Sequence, residues 1–175
     1  MANKHNFPFE IRGLESTKSK FYRHGFNVFP SFRRSGGRVQ FISADWREMV
    51  VSLKLKWSTR NIVGTVFGGS IYASVDPIFM FQLMQLYGKN YVVWDKAASI
   101  RFLKPIKKKV FCRFLITDEN LADIENQLNK EKRANLDLIC KFEDHDGNIY
   151  AEITKTLYVA EKDFYKQRLL EKQKS

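Results

Sequence analysis
Material for a metal centre or a disulfide framework is scarce in this chain. Its 175 residues hold two cysteines, Cys112 and Cys140, and three histidines, His5, His24 and His145, at spacings that suit no metal ion. The cysteines fall in different predicted strands at apolar-phase positions, so they read as two buried thiols in a reducing compartment. Each histidine reads as a surface or terminal residue, away from any catalytic role. Internal repeats and low-complexity segments are missing, and the opening MANKHNFPFEIRG lacks the continuous apolar core of a secretory signal. The expectation is a packed cytoplasmic domain that needs no metal, cofactor or disulfide.

What is present supports such a domain. At this length folding removes roughly 70% of the unfolded chain's accessible surface, enough for an independent core. Aromatics are abundant, with 15 Phe, 7 Tyr and 3 Trp, and 44% of residues are hydrophobic. The net charge of +11 draws anions of any kind, whether nucleic acid, acidic lipid or phosphorylated metabolite. Much of the excess lies in short runs, Lys107 to Lys109, Lys130 to Arg133 and Lys166 to Lys174, which read mainly as solvated surface. Nucleic-acid binding is disfavoured, because no strand face interleaves aromatics with Lys and Arg in a recognisable pattern.

The segment NIVGTVFGGSIYASVDP, residues 61 to 77, carries the strongest signal. Between Ile62 and Tyr87 the one charged side chain is Asp76, in a stretch whose composition demands burial. A lone buried carboxylate is costly unless it is paired or used. Residues 62 to 87 are long enough to cross a bilayer, but Asp76, Pro77, Gln82 and Gln85 argue against a span, and the amphipathic strands on either side need an apolar cover. A central buried helix over 70–87, ended by Gly88, meets both demands. Pro77 has no N–H to give the carbonyl of Ala73 and should kink that helix.

Alternation predicts strands on either side of it. Val51, Leu53, Leu55 and Trp57 share one face of a half-buried strand over 49–57, after a shorter strand over 38–44. Four more alternating stretches cover 91–104, 108–117, 134–143 and 148–160, the last two joined as a hairpin through Asp144-His145-Asp146-Gly147-Asn148. Leu121, Ile124 and Leu128 form the apolar stripe of a surface helix over 118–130, which Asp118 can cap. Phe21, Tyr22, Phe26 and Phe29 repeat at helical spacing before Pro30 stops the pattern. The division expected is a partly helical extension over 1–36, a main domain over 37–160, and a charged tail or helix over 161–175. The class is α+β, with a curved antiparallel sheet wrapped around one long central helix.

Asn61, Gly64, Thr65, Phe67, Gly68, Gly69 and Asp76 follow the order of a family motif: an Asn, a Gly and a small residue, His-Gly-Gly, and an acid seven positions after the second glycine. With WDKAASIRFLKP, residues 94 to 105, they make the chain resemble the hotdog-fold acyl-CoA thioesterases of the phenylacetic-acid-pathway type, above all their divergent relatives, over about residues 37 to 160. Phe67 stands where that family has His. The resemblance implies hydrolysis of an acyl-CoA or other acyl thioester at a homodimer interface, with dimers able to pair into tetramers. It implies Asp76, Gly69 and Asn61 as catalytic residues, and Phe67, Gly68, Ser70, Arg101 and Lys104 as substrate-binding ones.

The spacing gives these roles a physical basis. N–H groups at Gly68 and Gly69 would lack partners at a helix start, and Gly69 is the first choice to stabilise a thioester oxyanion. Asp76 lies about 10 Å further along a helix axis at 1.5 Å per residue, so a second subunit must bring the two groups to one carbonyl. Asp76 would serve as general base or as nucleophile. Asn61 orients the water or carboxylate, or simply shapes the turn before Gly64. Arg101 and Lys104, with Lys107 to Lys109, would meet the CoA phosphates or end a strand in solvent. The rival function is a hotdog protein that binds an acyl-CoA or fatty-acyl ligand without turnover.

Overall fold
The alternating stretches assemble into one antiparallel sheet. The computed structural model describes residues 6–174. Strands β1 (Arg38–Ile42), β2 (Glu48–Leu53), β3 (Tyr91–Phe102), β4 (Val110–Leu115), β5 (Arg133–Glu143) and β6 (Ile149–Glu161) run in the order β1-β2-β4-β5-β6-β3. Helices α1 (Thr17–Val28), α2 (Pro30–Ser35), α3 (Gly68–Ala73), α4 (Ile78–Tyr87), α5 (Asp118–Glu131) and α6 (Lys162–Lys174) surround it. His5 lies outside the described residues, while His24 and His145 are exposed. Cys112 and Cys140 are buried free thiols on β4 and β5.

The central helix is two helices. Pro77 cannot donate to Ala73, and the chain tightens into turns in which Val75 N–H meets Tyr72 O at 3.0 Å and Ile78 N–H meets Val75 O at 3.2 Å. The expected kink is therefore a break over residues 74–77, with α4 restarting at Ile78. Gly88 ends α4 at φ 69°, a value that favours glycine. Ile78, Phe79 and Leu83 of α4 are fully buried, and the Phe79 ring meets Phe114 of β4 edge-on at 5.0 Å. Side chains of this size each stabilise the fold by about 1.5–3 kcal/mol when buried.

Local rules explain where the other elements differ from expectation. The strand expected over 49–57 stops at Leu53, because Thr59 Oγ1 donates to Lys54 O at 3.0 Å and accepts from Lys56 N–H at 2.9 Å, turning the chain out of the sheet and leaving Trp57 exposed. All six β2 residues are buried, where alternation predicts half, since Phe7, Phe9 and Ile11 pack over Phe41, Val50 and Phe111 on the outer face. Thr117 caps α5 in place of Asp118, in a capping box with Asn120. Pro30 ends the pattern of α1 and also opens α2, as the first turn of a helix needs no N–H there. Ser16 and Ser19 cap α1 reciprocally, and Tyr22 and Phe26 seat it against Phe81 at 5.5 and 4.8 Å between ring centres.

The β5–β6 hairpin has a charged pin. Its turn is built on Asp144, whose buried carboxylate accepts from the N–H groups of Asp146 and Asn148 and from Tyr150 Oη, and lies 2.6 Å from Lys108 Nζ. The Lys108 ammonium first, then Tyr150 and the two N–H groups against the opposing cost of burial, hold this carboxyl well below its ordinary value of 3.8. A native value below the unfolded one means that ionised Asp144 stabilises the fold above the ordinary carboxylate range and loses that contribution as pH falls through the native value. Asp144→Asn is thus expected to lower Tm near pH 7, with the deficit shrinking as melts approach about pH 2. An equal deficit at both pH values would assign the effect to shape instead of charge.

Candidate active site
Strand β6 alternates so that Ile153, Lys155, Leu157 and Val159 all face the core, which puts a lysine where the sheet calls for an apolar side chain. Lys155 is fully buried, and burial alone would drive an ammonium to lose its proton. Two carboxylates prevent it. Nζ lies 2.9 Å from Asp76 Oδ1 and 3.2 Å from Asp95 Oδ2, and 5.3 Å from the centre of the Tyr72 ring. Burial weakens the cation most, yet Asp76 and Asp95 together outweigh it and raise Lys155 above its ordinary value.

Each carboxylate reaches this point through an irregularity. Asp76 sits in the break between α3 and α4, and Asp95 at a β-bulge that shifts the register between Asp95 and Ala97 on β3. Burial raises the Asp95 carboxyl first, Lys155 opposes that, and the neighbouring Asp76 adds to it. Asp95 Oδ1 is buried with no partner among the described residues. The expectation of a lone buried acid is corrected: the Asp76 side chain is 50% exposed, and it is held on one oxygen by a cation with no exposure at all.

The other predicted residues gather elsewhere. Asn61, Gly68 and Lys104 line one cavity of about 410 Å³ with Ile71, Phe102 and Ile106. Asp76 lines a different one, of about 600 Å³, with Tyr72 and the aromatic face of α1. Within one chain, therefore, Asp76 and the Asn61 loop do not open on a shared space. Asn61 closes its own turn, its side chain giving 2.8 Å to Thr65 Oγ1 and taking 2.9 Å from Thr65 N–H. Ser70 is buried and Phe67 exposed. The Phe67 ring lies over Gly69, where an added Cβ would collide with it, and the Phe102 ring lies 3.1 Å from the place of a Cβ at Gly68.

Gly68 and Gly69 N–H groups meet no acceptor among the described residues, while Ser70 N–H already turns back to Phe67 O at 2.9 Å. Because α3 is only six residues long, it supplies the free N–H groups but little of the macrodipole that an unbroken helix would have had. Arg101 pairs with Glu152 at 3.2 Å on the exposed side of the sheet, and Lys104 Nζ gives 3.0 Å to Asn148 Oδ1. Much of the basic run near Pro105 is thus already tied to local partners. Among the described residues no group of His, Cys, Asp and Glu could hold a metal, and no helix is long and apolar enough to cross a membrane.

The site expected from the motif around Asp76 leaves out Lys155, Asp95 and Tyr72. The signal was nonetheless present, since the strand phase through Ile153 and Leu157 puts Lys155 inside.

The chain belongs to the DUF4442 family, a domain of unknown function, which it matches over residues 17–159. No curated protein matches it in sequence. Among solved structures it is similar to PA5026 of Pseudomonas aeruginosa, a protein of unknown function, with a TM-score of 0.69 and 16% identity over 81% of this chain and 95% of that one. It is also similar to thioesterase HI1161 of Haemophilus influenzae, at a TM-score of 0.61 and 11% identity over 84% and 93% of the two chains. Mouse thioesterase superfamily member 2 gives a TM-score of 0.59 and 15% identity over 82% and 98%. These likenesses show the fold: the chain is an α+β hotdog protein of the architecture found in the thioesterase superfamily, its sheet wrapped around the α3–α4 segment.

The shared cation makes a test that needs no substrate. Asp76→Ala or Asp95→Ala leaves Lys155 one anion, whereas the double variant leaves a buried ammonium unpaired, which typically costs about 3–5 kcal/mol. In urea unfolding the double variant is expected to lose more stability than the two singles together, and adding Lys155→Met to restore part of it. Strict additivity would show that the three groups do not act as one unit.

Proposed function
We propose that the protein hydrolyses an acyl-CoA thioester as a homodimer, with Asp76 activating the attacking water. The observation that carries this reading is the setting of Asp76, a carboxylate anchored through Oδ1 to a buried lysine while its side chain stays half exposed on an open apolar cavity. A sealed acid could not reach a thioester carbonyl. A general base needs this combination of a fixed position and an open face.

The two separate cavities favour a second subunit. Asp76 of one protomer would meet Gly69 of its partner across the interface. Support comes from Trp57, Ile62, Val63, Phe67 and Phe102, large apolar side chains on and near the Asn61 turn and at the end of β3 that all stand exposed. The free edge of β3 lies beside it. Asp76 would take a proton from water as the water oxygen bonds to the carbonyl carbon. The Gly69 N–H would receive the developing oxyanion, the C–S bond would break, and the CoA thiolate would leave with the proton held by Asp76. In the nucleophilic variant an Asp76 oxygen bonds to that carbon first, the C–S bond breaks to release the CoA thiolate, and water then cleaves the anhydride to the free acid and the Asp76 carboxylate, the water's proton going to the thiolate. Lys104 is the basic residue best placed for the CoA phosphates, since it lines the cavity with Asn61 and Gly68. Two buried free thiols agree with a reducing, cytoplasmic setting.

A second reading, an acyl-CoA binding protein without turnover, draws on two observations: the Phe67 ring covers Gly69 where the family has an imidazole, and Lys155 competes for Asp76. Assay of free thiol release across acyl-CoA chain lengths separates the two. Hydrolysis predicts release by the wild type and a fall of about a hundredfold or more in Asp76→Asn. Full activity in that variant would remove Asp76 from the mechanism, and saturable binding with no thiol release would establish the binding protein.

A further inference from the structure
The N-terminal helices build a chamber that the reaction at Asp76 does not by itself require. Its wall is the face of α1 carrying Phe21, Gly25 and Phe29, spaced four residues apart, and its floor is Tyr72, Asp76 and Pro77. Eight residues of helix run about 12 Å at 1.5 Å per residue, so the wall is a strip. The volume of about 600 Å³ falls in the range of ligand sites, roughly 300–1,000 Å³. Apart from Asp76, Ser31 and the two tyrosines, Tyr22 and Tyr72, the lining is apolar, and Phe21 and Phe29 are exposed beside it although α1 has a buried face to offer them. Tyr22 and Phe26, which also border the chamber, already fill that buried face against Phe81 and Trp46.

Gly25 is the decisive residue. It stands in the middle of α1, where glycine is a poor choice for a helix, and a Cβ built there would touch nothing within 4 Å. Neither backbone conformation nor crowding requires glycine at this point. What a larger side chain would occupy is the space between Phe21 and Phe29.

We propose that this strip, walled by α1, seats an extended unbranched acyl chain whose carbonyl end lies at Asp76, and that Gly25 sets the chain length accepted. The inference rests on the reading of Asp76 for the position of the carbonyl, but not for the apolar seat. An extended chain matches an elongated apolar wall with its polar groups on the floor, where a compact aromatic acyl group would leave most of the strip uncovered.

The test compares non-hydrolysable thioethers, S-dodecyl-CoA and S-butyl-CoA, by calorimetry on the full chain. Each buried methylene is worth roughly fourfold in affinity, so the dodecyl ligand is expected to bind at least about a hundredfold more tightly. Gly25→Leu, which suits a helix better than glycine, is expected to weaken dodecyl binding about tenfold or more and leave butyl binding unchanged. Equal affinity of the two thioethers, or dodecyl binding untouched by Gly25→Leu, would overturn the proposal. Sedimentation of both proteins covers the other occupant: a Gly25→Leu variant that shifts the dimer equilibrium without chain-length dependence would assign the strip to a second copy of this chain and overturn the acyl seat. Length-dependent binding with no hydrolysis of dodecanoyl-CoA would keep the acyl seat and remove the hydrolase reading. Asp76-dependent hydrolysis insensitive to Gly25→Leu would do the reverse.

Discussion
One ammonium beneath the sheet constrains much of what surrounds it. Lys155 occupies a strand position whose neighbours are Ile153 and Leu157, and a cation there stays charged only if anions come to it. Two elements depart from regularity where they supply those anions. The α3–α4 break puts Asp76 above the strand, and the bulge in β3 puts Asp95 beside it. Burial first, and the neighbouring Asp76 after it, raise the Asp95 carboxyl against the pull of Lys155, and its Oδ1 has no partner among the described residues. The Asp76 end of the group is the one that opens to solvent, so the burial constraint and the functional surface meet in one residue.

That arrangement also shows which parts of the molecule the sequence made legible. Strands β5 and β6 and their turn follow from alternation and one Asp-Gly pair, both local signals. The ends of β2 and the burial of its outer face were not legible, because they depend on Thr59 side-chain bonds and on Phe7, Phe9 and Ile11 arriving from far away in the chain. Asp76 is legible because a charge in an apolar run is conspicuous. Lys155 is not, because lysines are common in this chain and only the phase of its strand marks it as different. Tertiary pairing was the missing information: a carboxylate looks lonely in sequence when its partner is 79 residues away.

Helix α1 links packing to the site in a similar way. Its inner aromatics, Tyr22 and Phe26, fasten it to α4 and to Trp46, and this fixes the height at which its outer row stands above Tyr72 and Asp76. The reciprocal Ser16 and Ser19 cap holds the start of that helix in register. An apolar chamber with a carboxylate in its floor therefore depends on contacts well outside the Gly-Gly motif, made by the helical extension that precedes the sheet.

The Phe67 substitution is best understood against this geometry. An imidazole beside Gly69 could share proton transfer with the acid, whereas a phenyl ring over Gly69 can only exclude water and narrow the approach to its N–H. In the proposed reaction, with Phe67 in place, proton transfer would rest on a single acceptor, Asp76, and oxyanion stabilisation on free backbone N–H groups at the start of a two-turn helix whose dipole the break at Pro77 has shortened. Lys155 bears on the same point, because an acceptor held by one oxygen needs no second side chain to orient it. Lys155 thus fixes the position of Asp76 without a histidine, and the proposed hydrolysis would be left to one oriented carboxylate and the free N–H groups at the start of α3.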